Sequence, residues 1–290
     1  VTHVLLPRIA PPEPEPGAGC LRYRDAVVAQ LTGYRPLLLD LTVPDGSPPE
    51  TGWPVVVFVH SETSAARQGP LGRYLGARLL EAGFAMATVH FRHGREAGYP
   101  AQLHDVKAAV RWLRHHSRTL ALDPVRLAAW GHGAGGYLAV LLAVTGGHPE
   151  LEGEVGVSGP DSSVQAAVAW SPPSDFTRLP APPPGSLHAV TGADPHTWLF
   201  GTSPTNDPAL AAATNPLTHL TETAAPLLVT HGTADATVPL AHSESLVAAY
   251  WRAGADADFR WLPDTGHAYG HPVRSEMTTT GISFLRKHFG

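Results

Sequence analysis

The sequence predicts an α/β domain built on a mostly parallel, eight-stranded sheet covered by helices on both faces. Three observations carry that prediction. The run Val55-Val56-Val57-Phe58-Val59 is continuously apolar and rich in β-branched residues, as a strand buried on both faces requires. From there to the C-terminus, short apolar runs alternate with stretches of helical periodicity, a pattern that builds parallel sheets with crossover helices. Finally, Trp130-Gly131-His132-Gly133-Ala134-Gly135-Gly136 lies between an apolar run and a helix start, and so reads as a sharp strand-to-helix turn made of glycines.

Taken in order, residues 1–20 include the proline-rich stretch 7–19 and read as an extended arm, since proline removes backbone donors and fixes φ. Asp25–Leu31 and Pro36–Thr42, joined across Thr32-Gly33, suggest an antiparallel hairpin entering the sheet. Beyond the strand at Val55–Val59, a helix is expected over Pro70–Ala82, stopped by Gly83, and a strand over Phe84–Phe91. Ala101–His116 places Val106, Ala109, Val110 and Leu113 on one helical face. Val125–Trp130 is the strand before the glycine turn, Tyr137–Val144 belongs to the helix after it, and Val164–Trp170 is another strand. Between 171 and 225 the alternation stops and prolines accumulate, which marks a lid-sized insertion. Its densest apolar cluster, Trp198, Leu199 and Phe200, either packs the insertion onto the body or lines a largely apolar pocket, and the two roles are compatible. Strands at Pro226–His231 and Asp258–Leu262 and helices at Pro239–Trp251 and Ser275–His288 complete a single domain spanning residues 21–290.

Composition narrows the function classes. A net charge of −5 without charge runs gives no footprint for nucleic acid or for an anionic membrane surface. No apolar run approaches the ~20 residues needed to span a bilayer, and the first 20 residues lack signal-peptide character, so a cytoplasmic protein is expected. Cys20 is the single cysteine, which leaves no internal disulfide and no thiolate metal site. The 17 histidines show no metal-ligand spacing; pairs such as His90 with His93, or His115 with His116, read as scattered surface and core residues. Neither a metal nor a cofactor is expected, and the expected partner is a small-molecule substrate.

Polar residues that could carry chemistry follow the last two strands. Asp235 lies in His231-Gly232-Thr233-Ala234-Asp235, and His267 in Thr265-Gly266-His267-Ala268. In an open parallel sheet ligands sit at the carboxyl ends of the strands, where a carboxylate can fix the tautomer of a neighbouring imidazole and stabilise its charged form. With the glycine turn at 133 the chain order is turn, acid, base. That order matches a G-x-S-x-G nucleophile elbow with its acid and base, except that glycine stands where the pattern wants serine.

In these features the chain resembles the α/β-hydrolase superfamily, and within it the carboxylesterase branch that includes hormone-sensitive-lipase-like and feruloyl-esterase-like enzymes. The resemblance covers about residues 36 to 288 and rests on YPAQLHDVKAAVRWL at 99–113, LDPVRLAAWGHGAGG at 122–136, NPLTH at 215–219 and HGTAD at 231–235. It implies the α/β-hydrolase fold with a small lid insertion, Asp235 and His267 as acid and base, and Gly133 as the vacant nucleophile position. Where that branch carries a His-Gly-Gly loop whose amides stabilise an oxyanion, this chain reads His60-Ser61-Glu62-Thr63; the second donor, the N–H of Ala134, is retained. His90-Phe91-Arg92-His93-Gly94 likewise departs from the Asp-Tyr-Arg pattern that the resemblance suggests.

A glycine at the elbow relieves backbone strain once the hydroxyl is dispensable. The concurrent change at Ser61 and Glu62 favours natural divergence over a single inactivating substitution. Three functions are then open. The first is an enzyme of esterase ancestry using Asp-backed His267 for acid–base work on a small, largely apolar substrate, in a lyase, cyclase, epimerase or other tailoring-type biosynthetic reaction. The second is a serine carboxylesterase for small acyl esters with its nucleophile replaced. The third is a non-catalytic ligand-binding protein. Glu62 and His132 are secondary site candidates, Ser61 is a candidate substitute nucleophile, and Trp198 and Phe200 are candidate substrate contacts.

Overall fold

The computed structural model describes residues 10–60, 69–181 and 195–290, with the side chains of Pro195 and Trp198 outside the description. Nine strands form one sheet in the order β1-β2-β3-β5-β4-β6-β7-β8-β9. They are β1 (Glu15–Gly17), β2 (Cys20–Ala29), β3 (Leu37–Pro44), β4 (Trp53–Val59), β5 (Ala85–His90), β6 (Leu122–His132), β7 (Ala166–Trp170), β8 (Leu227–Gly232) and β9 (Ala257–Leu262). The first three strands and the β3–β5 pair are antiparallel, and every pairing from β5 across to β9 is parallel. The fold is that of the α/β-hydrolases.

The ninth strand corrects the expectation of eight and of an arm merely extended from the body. Residues 15–17 turn back on themselves, Gly19 supplying a φ of +68°, and Glu15 pairs with Arg22 in the ladder. Pro16 is compatible with this because β1 is an edge strand, where a missing N–H can face solvent. An ion pair between Glu15 and Arg24 at 2.9 Å accompanies the pairing. Elsewhere the elements fall where periodicity puts them, shifted by a few residues at their ends.

Seven helices accompany the sheet among the described residues: α1 (Pro70–Glu81), α2 (Ala101–His115), α3 (Ala134–Val144), α4 (Pro195–Phe200), α5 (Pro208–Thr214), α6 (Ala241–Ala253) and α7 (Val273–Phe289). Alternate residues of β4 show why its sequence is apolar throughout. Val55, Val57 and Val59 face a core shared with α2, α3 and α6, whereas Val56 and Phe58 face a second core built with α1 and α7. Burying both faces removes all six residues from Pro54 to Val59 from water.

The chain moves outward from β4 to β5, then returns to place β6 on the other side of β4. Such a reversal leaves a crevice at the carboxyl ends of the strands, here at the end of β4 and the β6–α3 turn. Between residues 171 and 225 the described part contains α4, α5 and three single 3₁₀ turns. Two tyrosines bind this insertion to the body: Tyr137 donates to the Thr214 carbonyl at 2.7 Å and Tyr99 to that of Ala213 at 2.8 Å. Behind β5, Arg92 and Asp105 form a buried bidentate ion pair, and Asp105 also accepts from the Arg92 amide at 2.8 Å, which secures the loop between β5 and α2. No described helix is long and apolar enough to cross a membrane.

Candidate active site

The turn from β6 into α3 is set by contacts that exclude side chains. A Cβ on Gly131 would lie 2.2 Å from the Gly135 carbonyl group, and one on Gly135 would lie 1.9 Å from the Val59 oxygen. Strand, turn and helix therefore approach each other as only glycine permits. At the apex Gly133 has φ +55° and ψ −122°, a conformation costly to any residue with a Cβ. Its amide donates to the Trp170 carbonyl at 2.8 Å and its own carbonyl accepts from Tyr137 at 2.9 Å, so both backbone groups are engaged. The next amide, that of Ala134, begins α3, where first-turn N–H groups have no acceptor within the helix. It is the remaining donor of the turn for a developing negative charge.

Opposite the turn, the ends of β8 and β9 bring Asp235 and His267 together. His267 Nδ1 donates to Asp235 Oδ2 at 2.7 Å, and the histidine remains about a quarter exposed while the carboxylate is fully enclosed. Oδ1 of Asp235 accepts from the amides of Thr237 and Val238, each at 2.9 Å. Burial alone would raise the carboxyl pKa, but hydrogen bonds from His231 and His267 and the field of His267 outweigh it and hold Asp235 far below the usual carboxylate range. The acid is thus an anion at all ordinary pH values, with the imidazole oriented and its Nε2 left for a substrate or water.

His132 joins the two halves. Its Nε2–H donates to the His267 carbonyl at 2.9 Å, and the two rings stand 4.5 Å apart. Burial, with the adjacent His267, pushes the His132 pKa down to about 4, so the ring is neutral when it makes this bond. Among the candidates the sequence offered, Asp235, His267, His132, Gly133 and Ala134 are gathered at these strand ends. Ser61 and Glu62 lie outside the described residues, as does the side chain of Trp198. Phe200 is fully buried in the core, edge-on to Tyr137, Phe176 and Tyr99, which is the packing role of the two that its cluster left open.

Two further groups acquire roles from the structure. His231, entirely buried at the end of β8, donates Nε2–H to the Val238 carbonyl at 2.8 Å with Asp235 Oδ2 at 3.3 Å, and accepts from the Ser243 hydroxyl at 2.6 Å. Its place four residues before Asp235 was the available signal. Tyr269, two residues after His267, is bonded to Ser171 at 2.6 Å and lies edge-on to His132. Nothing in sequence spacing links Ser171 to Tyr269.

With this geometry in place, the comparison with protein families is decisive. The family profile BD-FAE matches residues 39–250. The chain belongs to the BD-FAE family. Its fold is that of the α/β-hydrolases, and the relatives it matches are esterases. Esterase LipQ of Mycobacterium tuberculosis is 29% identical over 220 residues, covering 74% of this chain and 51% of LipQ. Esterase LipC of the same organism is 26% identical over 272 residues, covering 90% of this chain and 64% of LipC. The chain thus spans about half the length of LipQ and under two thirds of LipC. Among solved structures, a truncated carbohydrate esterase from gut microbiota superposes with a TM-score of 0.78 at 25% identity, over 92% of this BD-FAE chain and 95% of that one. The propionate-bound esterase 2 of Thermogutta terrifontis shares the fold, with a TM-score of 0.71 at 22% identity and coverage of 93% and 94%.

Proposed function

We propose that this chain performs acid–base chemistry on a small, largely apolar substrate without forming an acyl-enzyme. The observation that carries the reading is the 2.7 Å contact between an enclosed Asp235 and a partly open His267, tied through His132 to a turn whose apex bears no side chain. Gly133 has no hydroxyl to be acylated, so the covalent route of a serine esterase is absent from the elbow. His267 can still take a proton from a substrate or from water and return it, with Asp235 stabilising the imidazolium that forms. Such acid–base assistance contributes ~10²–10⁴ in rate. The amide of Ala134 is placed to stabilise an oxyanion or enolate developing beside the base. Proton transfer of this kind serves a lyase, cyclase, epimerase or similar tailoring reaction.

A second reading is favoured by the relatives, whose names denote esterases: a carboxylesterase for small acyl esters in which serine at 133 has been replaced. One assay separates the two. The chain as written and its Gly133→Ser variant are followed with short p-nitrophenyl esters. The acid–base reading expects no burst from either protein; a stoichiometric burst followed by turnover in the serine variant alone establishes the second reading instead.

A further inference from the structure

Beside the Asp235–His267 pair, on the side of the sheet covered by α1 and α7, lies a cavity of about 300 Å³. Its wall includes Phe58, Leu71, His132, Ala268, Tyr269 and Arg274. Ala268 directly follows His267 in the chain and His132 is bonded to the His267 carbonyl, so two of the lining residues adjoin His267, which is not itself among the described lining residues. The walls are apolar and aromatic apart from His60, His132 and Arg274, and no aspartate or glutamate is among the described lining residues.

Arg274 is the feature that this environment leaves unexplained. It is the second residue of α7, where a cation works against the helix dipole. Its guanidinium stacks over the Tyr74 ring at 4.8 Å, yet Nε is buried without a hydrogen-bond acceptor, and no described carboxylate forms an ion pair with it. The side chain is half-buried, and an enclosed guanidinium N–H is normally satisfied by a carboxylate or by a backbone carbonyl. The first turn of α1 borders the same cavity and carries no side-chain cap, which adds to its positive potential. His132 is neutral and contributes none.

Building on the acid–base reading, we infer that the cavity receives the carboxylate end of a small, largely apolar acid, with Arg274 as its counter-ion. The substrate class of the site is then carboxylate-bearing, with the charged end held at Arg274.

Equilibrium binding of hexanoate and of its neutral isostere hexanamide to the full chain, followed by calorimetry at low ionic strength, tests this. Hexanoate is expected to bind at least about tenfold more tightly than hexanamide. Arg274→Gln should remove that preference while leaving the weak affinity for hexanamide and the thermal midpoint in place, and Arg274→Lys should keep part of it. Equal affinity for the two probes, no measurable binding of either, or a preference that survives Arg274→Gln overturns the inference. The comparison on the unsubstituted chain decides the matter even if a variant at 274 does not fold. Binding needs no turnover, so a His267→Ala variant that still prefers hexanoate separates this inference from the catalytic reading.

Discussion

The two sides of the site are held in different ways. On the β8–β9 side, both carboxylate oxygens of Asp235 are engaged: two amides on one, His267 on the other, and His231 behind it, itself held by Ser243 and the Val238 carbonyl. On the β6 side, the glycines of the turn are fixed by close backbone contacts, the His132 side chain reaches across to the His267 carbonyl, and the apex residue Gly133 presents no side chain. One side preserves a protonation state; the other preserves a shape. The contrast teaches that, at neighbouring strand ends of one sheet, a side-chain pair can be fixed by hydrogen bonds while a turn is fixed by close backbone approach.

The contrast can be broken most severely at the base. His267→Ala should lower turnover of the true substrate by ~10²–10⁴, with the far-ultraviolet circular dichroism unchanged; turnover within twofold of the parent would remove the base from the mechanism. A pH titration of stability sharpens the link between the two sides. The folded-state pKa of His132 is about 4 against an ordinary 6.5, so between those values the unfolded chain binds a proton that the folded chain does not. Stability must therefore rise with pH across that window and fall as pH drops through it, by on the order of 3 kcal/mol at ~1.4 kcal/mol per unit. His132→Gln should flatten the urea-unfolding profile between pH 6.5 and 4. Asp235 acts in the same direction below the ordinary carboxylate range, where its protonated form is favoured only in the unfolded chain.

A smaller effect is expected at the apex. Gly133→Ser introduces a Cβ at φ +55°, and should destabilise the chain by about 1–3 kcal/mol in urea titrations. An unchanged midpoint would mean that the turn relaxes away from this conformation. The mildest change is expected behind the acid. His231→Gln retains a donor but shifts it, so kcat should fall about tenfold with KM nearly constant; an effect on KM alone would place His231 in substrate binding rather than in positioning Asp235.

Most of the sheet was legible because burial on both faces leaves a simple mark: Val55 to Val59 and Ala166 to Trp170 admit no polar residue at all. Asp235 and His267 stood out because each lies in the loop after one of the last two strands, three residues beyond β8 and five beyond β9, and the structure brings them within 2.7 Å. Three features were hidden for physical reasons. Strand β1 is disguised by Pro16, which only an edge position tolerates. His231 looks like one more apolar-strand terminus until the chain of hydrogen bonds through Ser243, twelve residues on, becomes visible. Phe200 carries the same local signal whether it faces a pocket or a core, and its three ring neighbours become visible only in the folded chain.

The crowding at Gly131 and Gly135 also shapes which descendants this chain can have. Side chains at those two positions would collide with the Gly135 carbonyl and the Val59 oxygen, atoms of the backbone that cannot swing aside. At position 133 the restriction is one of torsion, a modest and recoverable penalty. Sequence drift along this turn is therefore channelled into its apex. A side chain at the apex is admitted at a cost in torsion, while its glycine neighbours admit none unless the backbone itself moves.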